Sequence, residues 1–116
     1  MSMRVLILDL KDDPKLIERY EAHHAAAAVP VDIVRSIRSA GIEAMEIYRS
    51  GNRLVMLMRT GANFDPVAKA AADRASPAVQ AWETLMDRFQ QRLPWAAPDE
   101  KWVETKKIFD LEEQAK

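Results

Sequence analysis

No cysteine occurs among the 116 residues. That excludes disulfides and thiolate metal centres and fits a cytoplasmic protein without requiring one. Histidine is nearly as scarce, at two, and both stand side by side as His23 and His24. Two are too few for a histidine-rich metal site, and no carboxylates accompany them at ligand spacing. With only three glycines there is no glycine-rich loop to cradle a phosphate or a dinucleotide. An excess of one charge is also missing. The formal net charge of −1 gives no electrostatic case for nucleic acid or an anionic membrane as a partner. The longest apolar run, Ala25 to Val31, is far too short to span a bilayer. The opening Met-Ser-Met-Arg passes straight into a strand-like run without the apolar core of a signal peptide. The expectation is a single-domain, cytoplasmic, cofactor-free globular protein over residues 1–116.

What is present has a readable order. Arg4 to Leu10 (RVLILDL) is apolar at nearly every position, the mark of a strand buried on both faces. Asp13-Pro14 then predicts a helix start, with Asp13 as the cap and proline at the first helical position. That helix fades in the alanine run Ala25 to Ala28. A second helical piece spans Asp32 to Ala40, with Ile33, Val34 and Ile37 inward and Gly41 as its left-handed C-terminal stop. Ile42–Arg49 and Arg53–Thr60 flank Ser50-Gly51-Asn52 and read as a β-hairpin. Its second strand, through Leu54-Val55-Met56-Leu57-Met58, is again apolar on both faces. An alanine-rich helix follows from Pro66 to Ala75. Ser76-Pro77 then starts another, expected to run to about Leu93 with Val79, Trp82, Met86, Phe89 and Leu93 on one face. After a proline-bounded loop around Trp95, Lys101 to Leu111 reads as a final strand and Glu112–Lys116 as a fraying tail.

The order β, α in two pieces, β, β, α in two pieces, β is the α+β, ferredoxin-like βαββαβ pattern. It implies a four-stranded antiparallel sheet with helices on one face. The doubly apolar strands then leave a second sheet face to hide from water. A face of several hundred square ångströms, at roughly 25 cal/mol per Å², gains many kcal/mol on burial. The simplest cover is the same face of a second copy, so a homodimer packed sheet on sheet is expected.

In the first helix Leu16, Tyr20 and His24 stand four apart and share one face, pointing toward the sheet. His23 is rotated away by roughly 100° and is expected to face solvent. An imidazole is the side chain suited to proton transfer near neutral pH, which makes His24 the candidate acid/base. Tyr20 is either core with its hydroxyl at the rim or a hydrogen-bond partner for a ligand. Trp82 is either plain core or a surface for the apolar face of a sugar. Spacing alone supports a small pocket with one histidine and one tyrosine and names no reaction.

The chain resembles the L-rhamnose mutarotase family from Arg4 to Leu111. The likeness rests on Tyr20-x-x-x-His24, Gly41, Met45-Glu46-Ile47-Tyr48, Leu54-Val55-Met56, Ser76-Pro77-Ala78-Val79-Gln80-x-Trp82 and Lys107-Ile108-Phe109-Asp110-Leu111. The loop Leu93 to Trp102 is similar to the branch linked to L-fucose. The resemblance implies a dimeric α/β barrel that interconverts the anomers of a 6-deoxy-L-sugar, with a monosaccharide as its partner molecule. It further implies His24 as the catalytic acid/base and Tyr20 as a substrate-binding residue. Trp82 would be the first of two adjacent sugar-lining tryptophans. Glu83 stands where the second tryptophan would be, Met45 where the binding set has a tyrosine, and Ala28-Val29-Pro30-Val31 where a Trp-Pro pair is common. Met45 and Trp82 would offer the deoxy-sugar's methyl group an apolar wall. Because the fold hosts many functions, two other readings stand beside this one. One is a dimeric ferredoxin-like oxygenase or haem-binding protein; the other is a non-enzymatic interaction domain.

Overall fold

A computed structural model describes residues 2–115. Strand β1 (Ser2–Leu10) leads into helix α1 (Pro14–His23) and helix α2 (Val31–Ser39). The hairpin β2 (Ile42–Ser50) and β3 (Arg53–Thr60) follows, then α3 (Pro66–Ala75) and α4 (Pro77–Met86). Two short strands, β4 (Gln90–Gln91) and β5 (Val103–Glu104), and a 3₁₀ turn at Leu111–Glu113 complete the chain. The sheet is antiparallel in the order β2-β3-β1-β4, with β5 also on β1, which is the ferredoxin-like arrangement. No helix among the described residues is long and apolar enough to cross a membrane.

Local chemistry sets the element boundaries. The carboxylates of Asp13 and Asp65 and the hydroxyl of Ser76 accept backbone N–H groups in the first turns of α1, α3 and α4, each with proline just inside. Gly41, at φ +91°, takes the chain from α2 into β2 through the left-handed region. Gly51, at φ +59°, does the same at the first central position of the hairpin turn between paired Ser50 and Arg53.

Two expected elements come out differently. The helix expected to reach Leu93 ends at Met86, and the chain turns so that Phe89 and Leu93 are buried outside it. Three-four spacing reports burial, and here a turn and a strand achieve it. Lys11 N–H donates to the Phe89 carbonyl (2.8 Å), and Gln90 and Gln91 then pair with Leu10 and Asp9. The final strand, expected over Lys101 to Leu111, is only Val103–Glu104, opposite Ile7 and Leu6. β4 and β5 lie along the same edge of β1 in the same direction. They are one fourth strand, interrupted by an excursion over residues 92–102. Past Thr105 the chain leaves the sheet, and Ile108, Phe109 and Leu111 are exposed.

Alternation sorts the sheet into two faces. Leu6, Leu8 and Leu10 of β1, Leu54, Met56 and Met58 of β3, and Ile42, Met45 and Ile47 of β2 point toward the helices and build the core. Val5, Ile7, Val55 and Leu57 pair across the opposite face and are only half-buried, with Tyr48 exposed beside Val55.

Candidate active site

The site lies between the helix-facing side of the sheet and α1, α2 and α4. His24 caps the C-terminal end of α1, its own N–H returning to the Glu21 carbonyl at 3.0 Å. One turn earlier Tyr20 is buried in the core cluster with Leu10, Leu54, Met86 and Phe89. The two rings stack with centroids 4.3 Å apart, and the Trp82 ring meets His24 edge-on at 5.4 Å. Helical spacing on α1 and the inward face of α4 thus bring Tyr20, His24 and Trp82 together. Met45, paired with Met58 across the hairpin, lines the same cavity.

That cavity is about 530 Å³, within the roughly 300–1,000 Å³ of small-molecule sites. Its walls are mostly apolar, with Ile33, Ile37, Met45, Met56, Phe64 and Trp102 among them. Its polar lining consists of Tyr20, His24, Glu83 and Gln90 together with Ser36, Arg38, Glu43, Lys69 and Asp73. A second, open cavity of about 410 Å³ shares Tyr20 and His24 and is lined also by Glu21, Tyr48 and Arg49. Arg49 and Glu21 form an ion pair at its edge. The two rings therefore stand on the partition between two openings.

The electrostatics give each ring a defined state. His24 Nδ1 lies 2.8 Å from the Tyr20 carbonyl oxygen, which can only accept, so Nδ1 carries the proton. In the neutral ring this leaves Nε2 as the basic atom. Burial lowers the His24 pKa; the bond to the Tyr20 carbonyl opposes this, and neighbouring His23 adds to it. The imidazole is thus neutral and able to accept a proton at pH 7. The Tyr20 phenol is pushed up to about 12 by burial, against the Gln90 amide beside it and with the Glu83 charge assisting. It stays protonated and can donate a hydrogen bond.

Some placements were not foreseen. His23 is half-buried and not turned to water, its ring 5.5 Å from that of Phe89. Trp95 is exposed under Arg53, away from both cavities, whereas Trp102 lines the larger one. Gln90 was also missed, because it reaches the site only through the β4 turn. Its Oε1 is buried with no hydrogen-bond partner among the described residues. Lys101 arrives from the 92–102 excursion, with Nζ 2.6 Å from Glu83 Oε2 and 2.7 Å from Asp87 Oδ1. Glu83 is the one member of this group that the sequence singled out.

Comparison with known proteins adds to this geometry. The family model described as L-rhamnose mutarotase matches residues 4–111. A curated relative, the L-fucose mutarotase of Xanthomonas campestris pv. campestris, is 53% identical over 115 residues, covering 97% of this chain and 92% of its own. Among solved structures, an L-rhamnose mutarotase from Formosa agariphila superposes with a TM-score of 0.68 at 14% identity, over 96% of this chain and 99% of that one. Tetracenomycin F2 cyclase from Streptomyces glaucescens, a polyketide cyclase, superposes at 0.60 and 14% identity, over 95% and 96%. At that identity the two structures speak for the fold alone.

Proposed function

This chain belongs to the L-rhamnose mutarotase family, and from that premise we propose that it interconverts the α and β anomers of a 6-deoxy-L-hexose, L-fucose or L-rhamnose, with His24 as acid/base. The enzyme is then an isomerase acting on a carbohydrate. The observation that carries the assignment of roles is the His24 ring. Its Nδ1 is tied to a carbonyl and its Nε2 is the free basic atom at a largely apolar cavity.

Anomer exchange requires a base for the anomeric hydroxyl proton and an acid for the ring oxygen. His24 Nε2 takes the O1 proton as the C1–O5 bond breaks and the aldehyde forms. The imidazolium so produced is the acid from which O5 regains a proton. The open aldehyde turns about C1–C2, and closure runs the same steps backwards. Tyr20, neutral beside it, holds a sugar oxygen by donation, and Trp82 with Met45 faces the apolar side of the sugar. Positioned acid–base groups contribute about 10²- to 10⁴-fold, enough for a reaction that already proceeds slowly in water. The curated relative is an L-fucose mutarotase at 53% identity, which favours L-fucose of the two sugars. The family match also favours this reading over a haem-binding or oxygenase role and over a non-enzymatic interaction domain.

The functional unit we propose is a cytoplasmic homodimer that buries the half-covered sheet face with Val5, Ile7, Val55 and Leu57. Saturation-transfer NMR on L-fucose and L-rhamnose tests the activity. Exchange between anomers should quicken with the protein present and fall to the uncatalysed rate with His24→Ala at unchanged circular dichroism. A folded His24→Ala variant of undiminished activity rules out the assigned role.

A further inference from the structure

The interrupted fourth strand does more than complete the sheet. Its excursion over residues 92–102 is internally braced. Arg92 Nε and Nη2 donate to the Glu100 carbonyl at 3.1 and 2.9 Å, and Arg92 also donates to the Ala97 carbonyl. The Ala97 N–H donates to Glu100 Oε1 at 3.1 Å. On its return to β5 the excursion delivers two neighbouring side chains to the site. Trp102 lines the cavity, and Lys101 closes onto α4 between Glu83 and Asp87.

The lysine's position matters because of what it holds. Glu83 is the residue after Trp82, lines the same cavity, and lies close enough to Tyr20 for its charge to act on the phenol. Lys101 engages one carboxylate oxygen, Oε2. Oε1 makes no side-chain or backbone hydrogen bond among the described residues and is the atom left for a ligand. An ionised carboxylate only accepts, and it has room for about four hydrogen bonds. A sugar offers hydroxyl donors around its ring. Beside Glu83 on the α1 and α4 side the lining carries Tyr20, a donor in its protonated state, His24 and Gln90; of the other two carboxylates that line the cavity, Asp73 is paired with Lys69 and Glu43 with Arg59.

We propose that Glu83 is the specificity-determining acceptor for the sugar's ring hydroxyls and that Lys101 is the residue that positions it. This rests on the mutarotase reading and adds to it a reader of hydroxyl configuration. L-Fucose and L-rhamnose differ in the configuration of the hydroxyls at C2 and C4. A fixed acceptor therefore separates them by which hydroxyl it can meet. Lys101 touches no sugar atom; it holds Glu83 against rotation and ties the excursion to α4.

The test uses wild type, Glu83→Gln, Lys101→Met and Lys101→Arg, with anomer exchange measured against sugar concentration for both sugars. Losing a charged hydrogen-bond acceptor should raise KM for the preferred sugar by roughly ten- to a hundredfold. The rate at saturation should change far less, because the proton-transfer group is untouched. The preference ratio between the two sugars should shrink in Glu83→Gln. Lys101→Met should raise KM by a smaller factor, and Lys101→Arg should restore it. Sugar titration by NMR on a His24→Ala background reads binding apart from catalysis and should show the same order. An unchanged KM and sugar ratio in a folded Glu83→Gln variant overturns the inference while leaving the mutarotase reading intact. A Lys101→Met variant that loses thermal stability but keeps its KM overturns the positioning role. A wild type that accelerates neither sugar brings down the mutarotase reading, and this inference with it.

Discussion

At the scale of single residues, the pH response follows from how His24 and Tyr20 are held. Burial keeps the His24 pKa below its usual 6.5, so Nε2 remains basic under mildly acidic conditions. We expect kcat/KM to rise with pH through a value below 6.5. An inflection at or above 6.5 contradicts the buried, carbonyl-tethered ring. Stability follows the same linkage. The folded state favours neutral imidazole, so below pH 6.5 the unfolded chain takes up the proton first. The His24 contribution is complete above pH 6.5 and is lost as pH falls toward the depressed folded value. Tyr20 acts at the other extreme. With its pKa raised from 10.0 to about 12, its contribution is complete below pH 10 and is lost as pH rises toward 12. Urea midpoints across pH should slope in both windows, and His24→Asn and Tyr20→Phe should each flatten one of them. Tyr20 and His24 were legible in the sequence because i, i+4 spacing is a local rule. Gln90 and Lys101 were not, since each reaches the site through a chain reversal set by pairing to β1, more than seventy residues away in sequence.

At the scale of elements, the same division between local and non-local explains which parts were readable. The starts of α1, α3 and α4 were marked by an oxygen-bearing cap followed by proline, a signal within a few residues. The hairpin was marked by Gly51-Asn52 between apolar runs. The end of α4 had no such mark. Val79, Met86, Phe89 and Leu93 keep helical spacing and are all buried, yet only the first two are helical. The pattern gave burial, and the unpaired edge of β1 decided the backbone. Gly41 is the element-scale position most exposed to mutation. A Cβ there would stand 3.1 Å from Phe64 N and 3.3 Å from Phe64 Cα, both backbone, at a φ of +91°. Gly41→Ala should therefore cost about 1–3 kcal/mol of unfolding free energy. Because Phe64 lines the cavity and packs on Ile42, Met56 and Met58, KM should rise as well. Equilibrium urea unfolding and anomer exchange at graded sugar concentrations check the two parts separately. A variant as stable as wild type refutes the strain argument.

At the scale of the whole molecule, the chain is more extended than one compact domain of its length. A radius of gyration of 15.3 Å exceeds the about 13 Å expected for 116 residues. The excess fits a segment past Thr105 that carries exposed Ile108, Phe109 and Leu111 beyond the sheet. The half-covered sheet face and this apolar segment are both surfaces that a lone chain leaves to water. A second copy would cover the sheet face with a like surface, which is the basis for the proposed homodimer. Leu57 is the residue to change. It stands mid-strand on the outer face, opposite Val5 on one side and Glu46 on the other. Its side chain points away from the catalytic cavity, so an arginine there places a charge against its symmetry mate without touching the site. Light scattering at micromolar concentration should give twice the chain mass for wild type and the single-chain mass for Leu57→Arg. Tyr48→Arg, at an exposed position on the same face, repeats the mass measurement with less risk to folding, but Tyr48 also lines the second cavity beside His24, so activity is read on Leu57→Arg alone. Anomer exchange measured on the Leu57→Arg monomer then decides whether the pocket is complete within one chain. Wild type that runs as a monomer across that concentration range would remove the dimer from the reading and leave the chemistry of His24 where it stands.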